Sequence, residues 1–494
     1  MKKSIERRDF IRLTAAGSAL YISSPGLFGM SDLTGKLGLM KFSANLRGPG
    51  IISPGCRGTK VKVARIYMGN SQGLWPKPDM NLKDEIRFYE SRFAELEDEL
   101  SDVEFVVDEL VSSPEEVIQI KDKLNSVDGI LIIHLTLGTS SVLNEILNIG
   151  RPTMIFAVPY SGHEWSNYGD LQKQPIGAKM GCILSSDYKQ LAVAIRPFRA
   201  IHHLKEARIL NVTTNSFSEY SNSMNQKFGT QFKQIGLDQV IDVYNSISDS
   251  EAKMEADKWI KGAAMVVEPS GEEIFKSCKL ALAFERLLDD ENATVITADC
   301  YGSMYGPLCK TYAFPCIGFT RLNDMGLGGI CESDLPSAMT HILFQGLSGN
   351  PGFISDPTID ESNNTIILAH CLGSTKMNGP DGLSAPYKIR TIMERQEGAV
   401  AQVQMQIGQR VTQAILVGTD LIPYFTGEIV GTPVSLEDDR GCRTKITVRV
   451  DGDVTTLWKN WSHGLHRVTC YGDITKELEN FCRFKEIKMV NEAV

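Results

Sequence analysis

The sequence predicts an α/β fold: two successive α/β units followed by a β-rich C-terminal domain. Three observations carry that expectation. Short apolar runs alternate with helical text from residue 61 to about residue 187, which argues for a parallel sheet with helices on its faces. The alternation restarts near residue 207. Past Gly352 the helical text gives way to strand-like runs broken by glycine turns, as in a barrel or a sandwich. A chain of 494 residues is also too long for one compact core, so two or three domains are expected.

The elements follow in order. "VKVARIYMG" reads as a buried strand, and "DEIRFYESRFAELEDEL" as a helix with apolar residues at three- and four-residue steps. "VEFVVDEL", "GILIIHLTLG", "PTMIFAVPY" and "GCILSSD" complete the first unit. "GTSSVLNEIL" opens a helix after a strand but lacks the glycine fingerprint of a dinucleotide or P-loop site. The second unit runs through "ARILNVTT", "KQIGLDQVIDV", "AAMVVEPS", "ATVITADC" and "CIGFTR". The last domain holds "NTIILAH", "AQVQMQIGQRVTQAILVG", "FTGEIVG" and "CRTKITVRVDGDVTTLW". The expected boundaries are 59–205, 206–350 and 351–494, after an N-terminal segment (1–30) and a linker rich in Gly, Pro and Ser (31–58).

The N-terminal segment differs in character. "ERRDFIRLTAAGSALYISS" places Arg7 and Arg8 together, then Phe10 and a mild apolar run. This pattern looks like a twin-arginine export signal and implies the twin-arginine machinery as a partner and a periplasmic location. Such passengers cross folded, so a weakly bound metal can be inserted before export. The net charge of −9 gives the wrong electrostatic sign for gripping nucleic acid. The eleven cysteines show no CxxC pair. Buried free thiols are expected, with Cys300, Cys316 and Cys371 in strand-like apolar runs.

Two acids stand out around one helix. Leu335, Ala338, Met339, Ile342, Leu343 and Gly346 form an apolar stripe, and Asp334 or Ser333 can cap its first turn. Glu332 therefore sits at a strand-to-helix junction, favoured by the positive helix end. His341 falls off the stripe and reads as solvated. Asp356, before Pro357, reads by itself as a turn opener. His370 ends a strand and His466 lies near the C-terminus. Together, two carboxylates and two imidazoles near strand ends suit a divalent cation of the manganese type, and carboxylates there can also move protons.

The ordered text "TRLNDMG", "GGICESDLPSAMT", "LSGNPGFISDP", "IILAHC" and "GLHRVTCYGD" resembles the L-fucose isomerase and L-arabinose isomerase superfamily, above all its L-fucose isomerase-like branch. The likeness covers about Ala293 to Asp473, and the N-terminal half is similar in architecture only. It implies two Rossmann-like, doubly wound α/β domains followed by a barrel-like domain. It also implies that Glu332 and Asp356, 24 residues apart, bind manganese (Mn2+ or another divalent metal) and flank the substrate. His370 and His466 are implied as further ligands, with His463 as the alternative to His466. The branch often shows Asn before that histidine and His after it; this chain has Leu465 and Arg467.

The resemblance thus implies a metal-dependent aldose–ketose isomerase acting on an open-chain sugar through an enediolate, with Glu332 and Asp356 catalytic, in a homo-oligomer. Two rivals remain open. One is other enediolate chemistry, an epimerase or lyase acting on a modified sugar. The other is an exported carbohydrate-binding protein without catalysis, in which Trp75, Trp165, Trp458 and Trp461 stack on sugar faces.

Overall fold

The computed structural model describes residues 50–161, 164–432 and 440–494. The expected export signal and most of the linker lie outside the described residues. The first sheet contains β1 (Val61–Met68), β2 (Val103–Val111), β3 (Gly129–His134), β4 (Thr153–Ala157) and β5 (Met180–Leu184). The strands are all parallel in the order β2-β1-β3-β4-β5. The central strand "GILIIH" is buried throughout, because helices cover both faces and no side chain needs to meet water. That is why it reads as a continuous apolar run and not as an alternating one.

The second sheet is also parallel, with β6 (Arg208–Val212), β7 (Gln231–Ile235), β9 (Val295–Ala298) and β10 (Gly328–Cys331) in the order β10-β9-β6-β7. Two expected members of this unit behave differently. "AAMVVEPS" supplies only the two-residue β8 (Met265–Val266), which pairs with β13 (Tyr387–Ile392) beside β14 (Glu397–Val403). "CIGFTR" is not a strand but the start of the helix Cys316–Asp324. A short apolar run buried on all sides carries no period that separates helix from strand. This one packs with Gly318 against the backbone of Ala281 on the neighbouring helix Gly271–Asp290.

The C-terminal part closes into a barrel, which decides between the barrel and sandwich expectations. Six antiparallel strands form the ring: β15 (Arg410–Ala414), β18 (Arg467–Tyr471), β11 (Phe353–Asp360), β12 (Thr365–His370), β17 (Thr444–Val450) and β16 (Leu421–Gly431), which returns to β15. A seventh strand, β19 (Lys488–Asn491), adds in parallel to β16. Inward residues such as Phe353, Leu368, Phe425 and Ile446 fill the interior. Closure removes the open edges that such strands would otherwise expose.

The helix Leu335–Ser348 lies between sheet and barrel. Asp334 caps it by accepting from the Ser337 N–H, and Gly349 ends it at φ +75°. His341 is fully buried, contrary to the solvated expectation. Its Nε2 faces the Leu327 carbonyl at 3.2 Å, and its Nδ1 accepts from the Gly352 N–H at 3.0 Å. Burial pushes its pKa down to about 4, so the ring is neutral. The stripe argument fails here because this helix has no wet face; it is covered on both sides.

On the opposite side, Gly346 approaches the helix Gln190–Glu206 so closely that a Cβ would lie 2.5 Å from the Ala200 Cα. Gly346→Val is therefore expected to destabilise the protein by about 1–3 kcal/mol through overpacking. The check is a lower urea midpoint at unchanged slope; an unchanged midpoint would mean that these helices are not in close contact.

Candidate functional site

The site begins where β10 ends. Glu332 and Ser333 follow Cys331 with φ of +63° and +53°, a left-handed pair that costs on the order of 1–3 kcal/mol per residue. Three hydrogen bonds hold the turn. The Ser333 N–H reaches Ala298 O at 3.1 Å, the Asp334 N–H reaches Cys331 O at 3.2 Å, and Ser333 Oγ donates to Asn211 Oδ1 at 2.7 Å. The turn lies beyond the carboxyl end of a parallel strand, where open α/β sheets place their ligands.

The barrel supplies the remaining groups. Asp356 does not open a turn, as expected from Pro357, but sits within β11, opposite Ala369 of β12. The ladder from β11 to β18 stops at Ser355, so the strand is open on that side and a proline, which lacks an N–H, is tolerated. His370 is the last residue of β12 and is buried. His466 immediately precedes β18.

All four predicted residues meet. His370 Nε2 is 3.6 Å from Glu332 Oε1, and His466 Nε2 is 3.9 Å from Glu332 Oε2 and 3.2 Å from Asp356 Oδ1. Glu332, His370 and His466 each offer a donor atom within 4.8 Å of the others. The two imidazole rings meet edge to face with centroids 5.4 Å apart. Both ring nitrogens of His370 and Asp356 Oδ1 are buried without a hydrogen-bond partner, although Asp356 Oδ1 stands close to His466. Neighbouring donors around one octahedral ion lie about 3 Å apart, so this set fits a divalent cation after a small contraction. Unpartnered buried donors are costly unless something occupies the space between them.

Asp334 has a role beyond capping that the sequence reading missed. Its Oδ2 accepts from His466 Nδ1 at 2.9 Å. That bond fixes the tautomer and aims Nε2 at Glu332 and Asp356, as carboxylates behind metal-binding histidines do. The signal was present as Glu-x-Asp at a strand-to-helix junction, but only the fold shows that His466 meets it. Arg467, which replaces the expected histidine, turns to Glu492 at 3.2 Å, under the Trp461 ring, and bonds the His466 carbonyl at 3.1 Å. It anchors the segment that delivers His466. His463 lines the cavity but is exposed.

The cavity has a volume of about 520 Å³ and is open to solvent on one side. Glu332, Asp334, Asp356 and Glu394 line it, and among the described residues no lysine or arginine does. Burial alone would lower the His466 pKa, but its bond to Asp334 and its 3.2 Å approach to the Asp356 carboxylate outweigh burial and raise it to about 10. In return, despite burial acting the other way, His466 holds the Asp334 and Asp356 carboxyls below their usual range. None of the four tryptophans lines the cavity. Trp458 donates to Glu361 at 2.6 Å, and Trp461 stacks on Arg467.

No protein-family model matches the chain. A sulfoquinovose isomerase from Clostridium sp. (strain MSTE9) is 23% identical over 214 residues, covering 40% of this chain and 44% of that protein. The chain therefore spans less than half of that relative's length. Among solved structures, an ABC transporter solute-binding protein from Burkholderia multivorans is 10% identical. It covers 51% of this chain and 84% of its own, with a TM-score of 0.17, a value too low to inform the fold.

Two outcomes follow from this geometry. Asp334→Asn should weaken divalent-cation binding by about 10–100-fold, measured by calorimetry, because the amide no longer fixes the His466 tautomer. In the cation-free protein, the raised His466 pKa adds stability that is complete below pH 6.5 and lost as pH rises through about 10. The melting-temperature gap between the chelated parent and His466→Gln should therefore shrink over that interval. A gap independent of pH would remove the charged pairing.

Proposed function

We propose that this protein is a metal-dependent isomerase of the aldose–ketose type, acting on an open-chain sugar through an enediolate. The observation that carries the reading is the convergence of Glu332, Asp356 and His466 on the cavity wall, with the buried His370 Nε2 3.6 Å from Glu332 and both its nitrogens unpartnered. The partial likeness to a sulfoquinovose isomerase supports sugar isomerisation as the reaction class. A bound divalent cation of the manganese type would polarise adjacent carbonyl and hydroxyl oxygens of the substrate.

The chain's own groups then move protons. Glu332 and Asp356 both approach His466 Nε2, at 3.9 and 3.2 Å. One removes the carbon-bound proton and the other transfers a proton between the two oxygens. His466, held by Asp334, lowers the pKa of Asp356 against the opposing effect of burial. The strained Glu332 turn fixes one carboxylate in place, and the barrel wall fixes the other.

The cavity favours an uncharged sugar over the sulfonated one in the relative's name. A sulfonate wants a guanidinium or ammonium partner, and among the described residues no lysine or arginine lines the wall. In this reading the Arg7–Arg8 segment directs the folded, cation-loaded protein through twin-arginine export to the periplasm, where it works as a homo-oligomer.

The test uses aldoses in heavy water. The parent should place deuterium on the carbon next to the carbonyl and yield the matching ketose. Glu332→Gln and Asp356→Asn should each lower turnover by about 10²–10⁴-fold while melting as cooperatively as the parent. Full exchange without ketose would transfer the reading to an epimerase, and activity retained in both amide variants would remove the acids from the mechanism.

A further inference from the structure

The same cavity carries a second group of donors of different chemical character. Cys371 follows β12 directly, Cys442 lies just before β17, and Glu394 sits in the turn between β13 and β14. Strands β12 and β17 pair antiparallel with His370 opposite Thr444, and this pairing brings the two cysteines together. Their sulfur atoms and one Glu394 oxygen all lie within 4.8 Å of one another. Cys442 Sγ is 3.3 Å from Glu394 Oε1, and Cys371 Sγ is 3.9 Å from Glu394 Oε2. The Tyr301 hydroxyl stands 3.4 Å from Glu394 Oε2 and 3.9 Å from Cys371 Sγ. All four side chains line the cavity.

Two thiols and a carboxylate make a softer set than the oxygen and imidazole donors nearby, and soft sulfur ligands select zinc-type ions over manganese. Around tetrahedral zinc, sulfur at about 2.3 Å and oxygen at about 2.0–2.2 Å from the ion stand roughly 3.4–3.8 Å apart. The observed sulfur–oxygen spacings of 3.3 and 3.9 Å bracket that range. A third cluster, Cys56, His202 and Glu206, differs because its donors are already engaged. His202 bonds Asp128 at 2.8 Å and the Thr59 carbonyl at 2.9 Å, and Glu206 accepts from the Thr59 N–H at 2.7 Å.

We infer that Cys371, Glu394 and Cys442 form a second cation site, selective for a thiophilic divalent ion of the zinc type. The two thiols give up their protons to solvent as the ion binds, leaving two thiolates and one carboxylate as ligands. The fourth position is open to the cavity, as in zinc sites that keep an exchangeable ligand. Cys371 adjoins His370 in the chain, so an ion here would share the cavity with the oxygen-rich cluster without sharing its ligands.

The experiment titrates Co2+, a spectroscopic stand-in for Zn2+, into the full chain kept reduced by a phosphine. A sulfur-to-cobalt charge-transfer band in the near ultraviolet is expected, saturating at one equivalent of thiol-bound ion. It should vanish in Cys371→Ser and in Cys442→Ser, and Glu394→Gln should weaken the binding it reports by about tenfold or more, since even outer-shell partners are worth that. It should persist in Glu332→Gln, which touches only the first cluster, so failure of the isomerase reading and failure of this one are separable. Independently, saturating Zn2+ should slow alkylation of Cys371 and Cys442 in the parent, read by mass spectrometry, which avoids dependence on how the variants fold. Absence of the band in the parent, its survival in both serine variants, or alkylation indifferent to Zn2+ would each overturn the assignment.

Discussion

The hydrogen bond from His466 to Asp334 is the contact on which the site depends. It joins residues 132 positions apart and ties the barrel to the N-terminus of the buried helix Leu335–Ser348. Asp334 already accepts from Ser337 N–H at 3.0 Å and from Ser337 Oγ at 2.8 Å. The same carboxylate thus starts the helix, fixes the imidazole and adds negative charge to the cavity. A histidine in this position is set by three constraints at once, and its second nitrogen can point only towards Glu332 and Asp356.

The opposing carboxylate is held differently. Glu332 occupies a left-handed turn that a non-glycine residue avoids unless its neighbours enforce it. The enforcement comes from strands β6 and β9 through Asn211 and Ala298. The α/β sheet therefore presents one acid with a strained backbone, and the barrel presents the other on an unstrained strand. A site built across two architectures needs both to be rigid, and the buried helix between them supplies that, with His341 and Gly346 closing its two flanks.

Charge explains the economy of the cavity. Four carboxylates face a common space with no described lysine or arginine on the wall. Without a cation, repulsion among them is relieved by protonated His466; with one, the imidazole must give up its Nε2 proton to become a ligand. The thiol pair at Cys371 and Cys442 adds softer donors to this acidic space.

The sequence by itself determined most of the order of elements and the strands at or near whose ends the four candidate donors stand. Those features rest on local period, on apolar runs and on ordered motifs, all of which survive in one dimension. It misplaced "CIGFTR" and His341 for one reason: full burial erases the contrast between faces that periodicity needs. Taken by itself, Asp356 read as a turn opener, because a proline breaks most strands and only the open side of β11 makes this one tolerable. Ring closure, the left-handed Glu332 turn and the Asp334–His466 bond were decided by tertiary structure alone. The turn and the bond depend on partners 122 and 132 residues away, and the ring needs β18 to meet β11 and β15, which lie far from it along the chain; no local pattern records which distant group a side chain will meet.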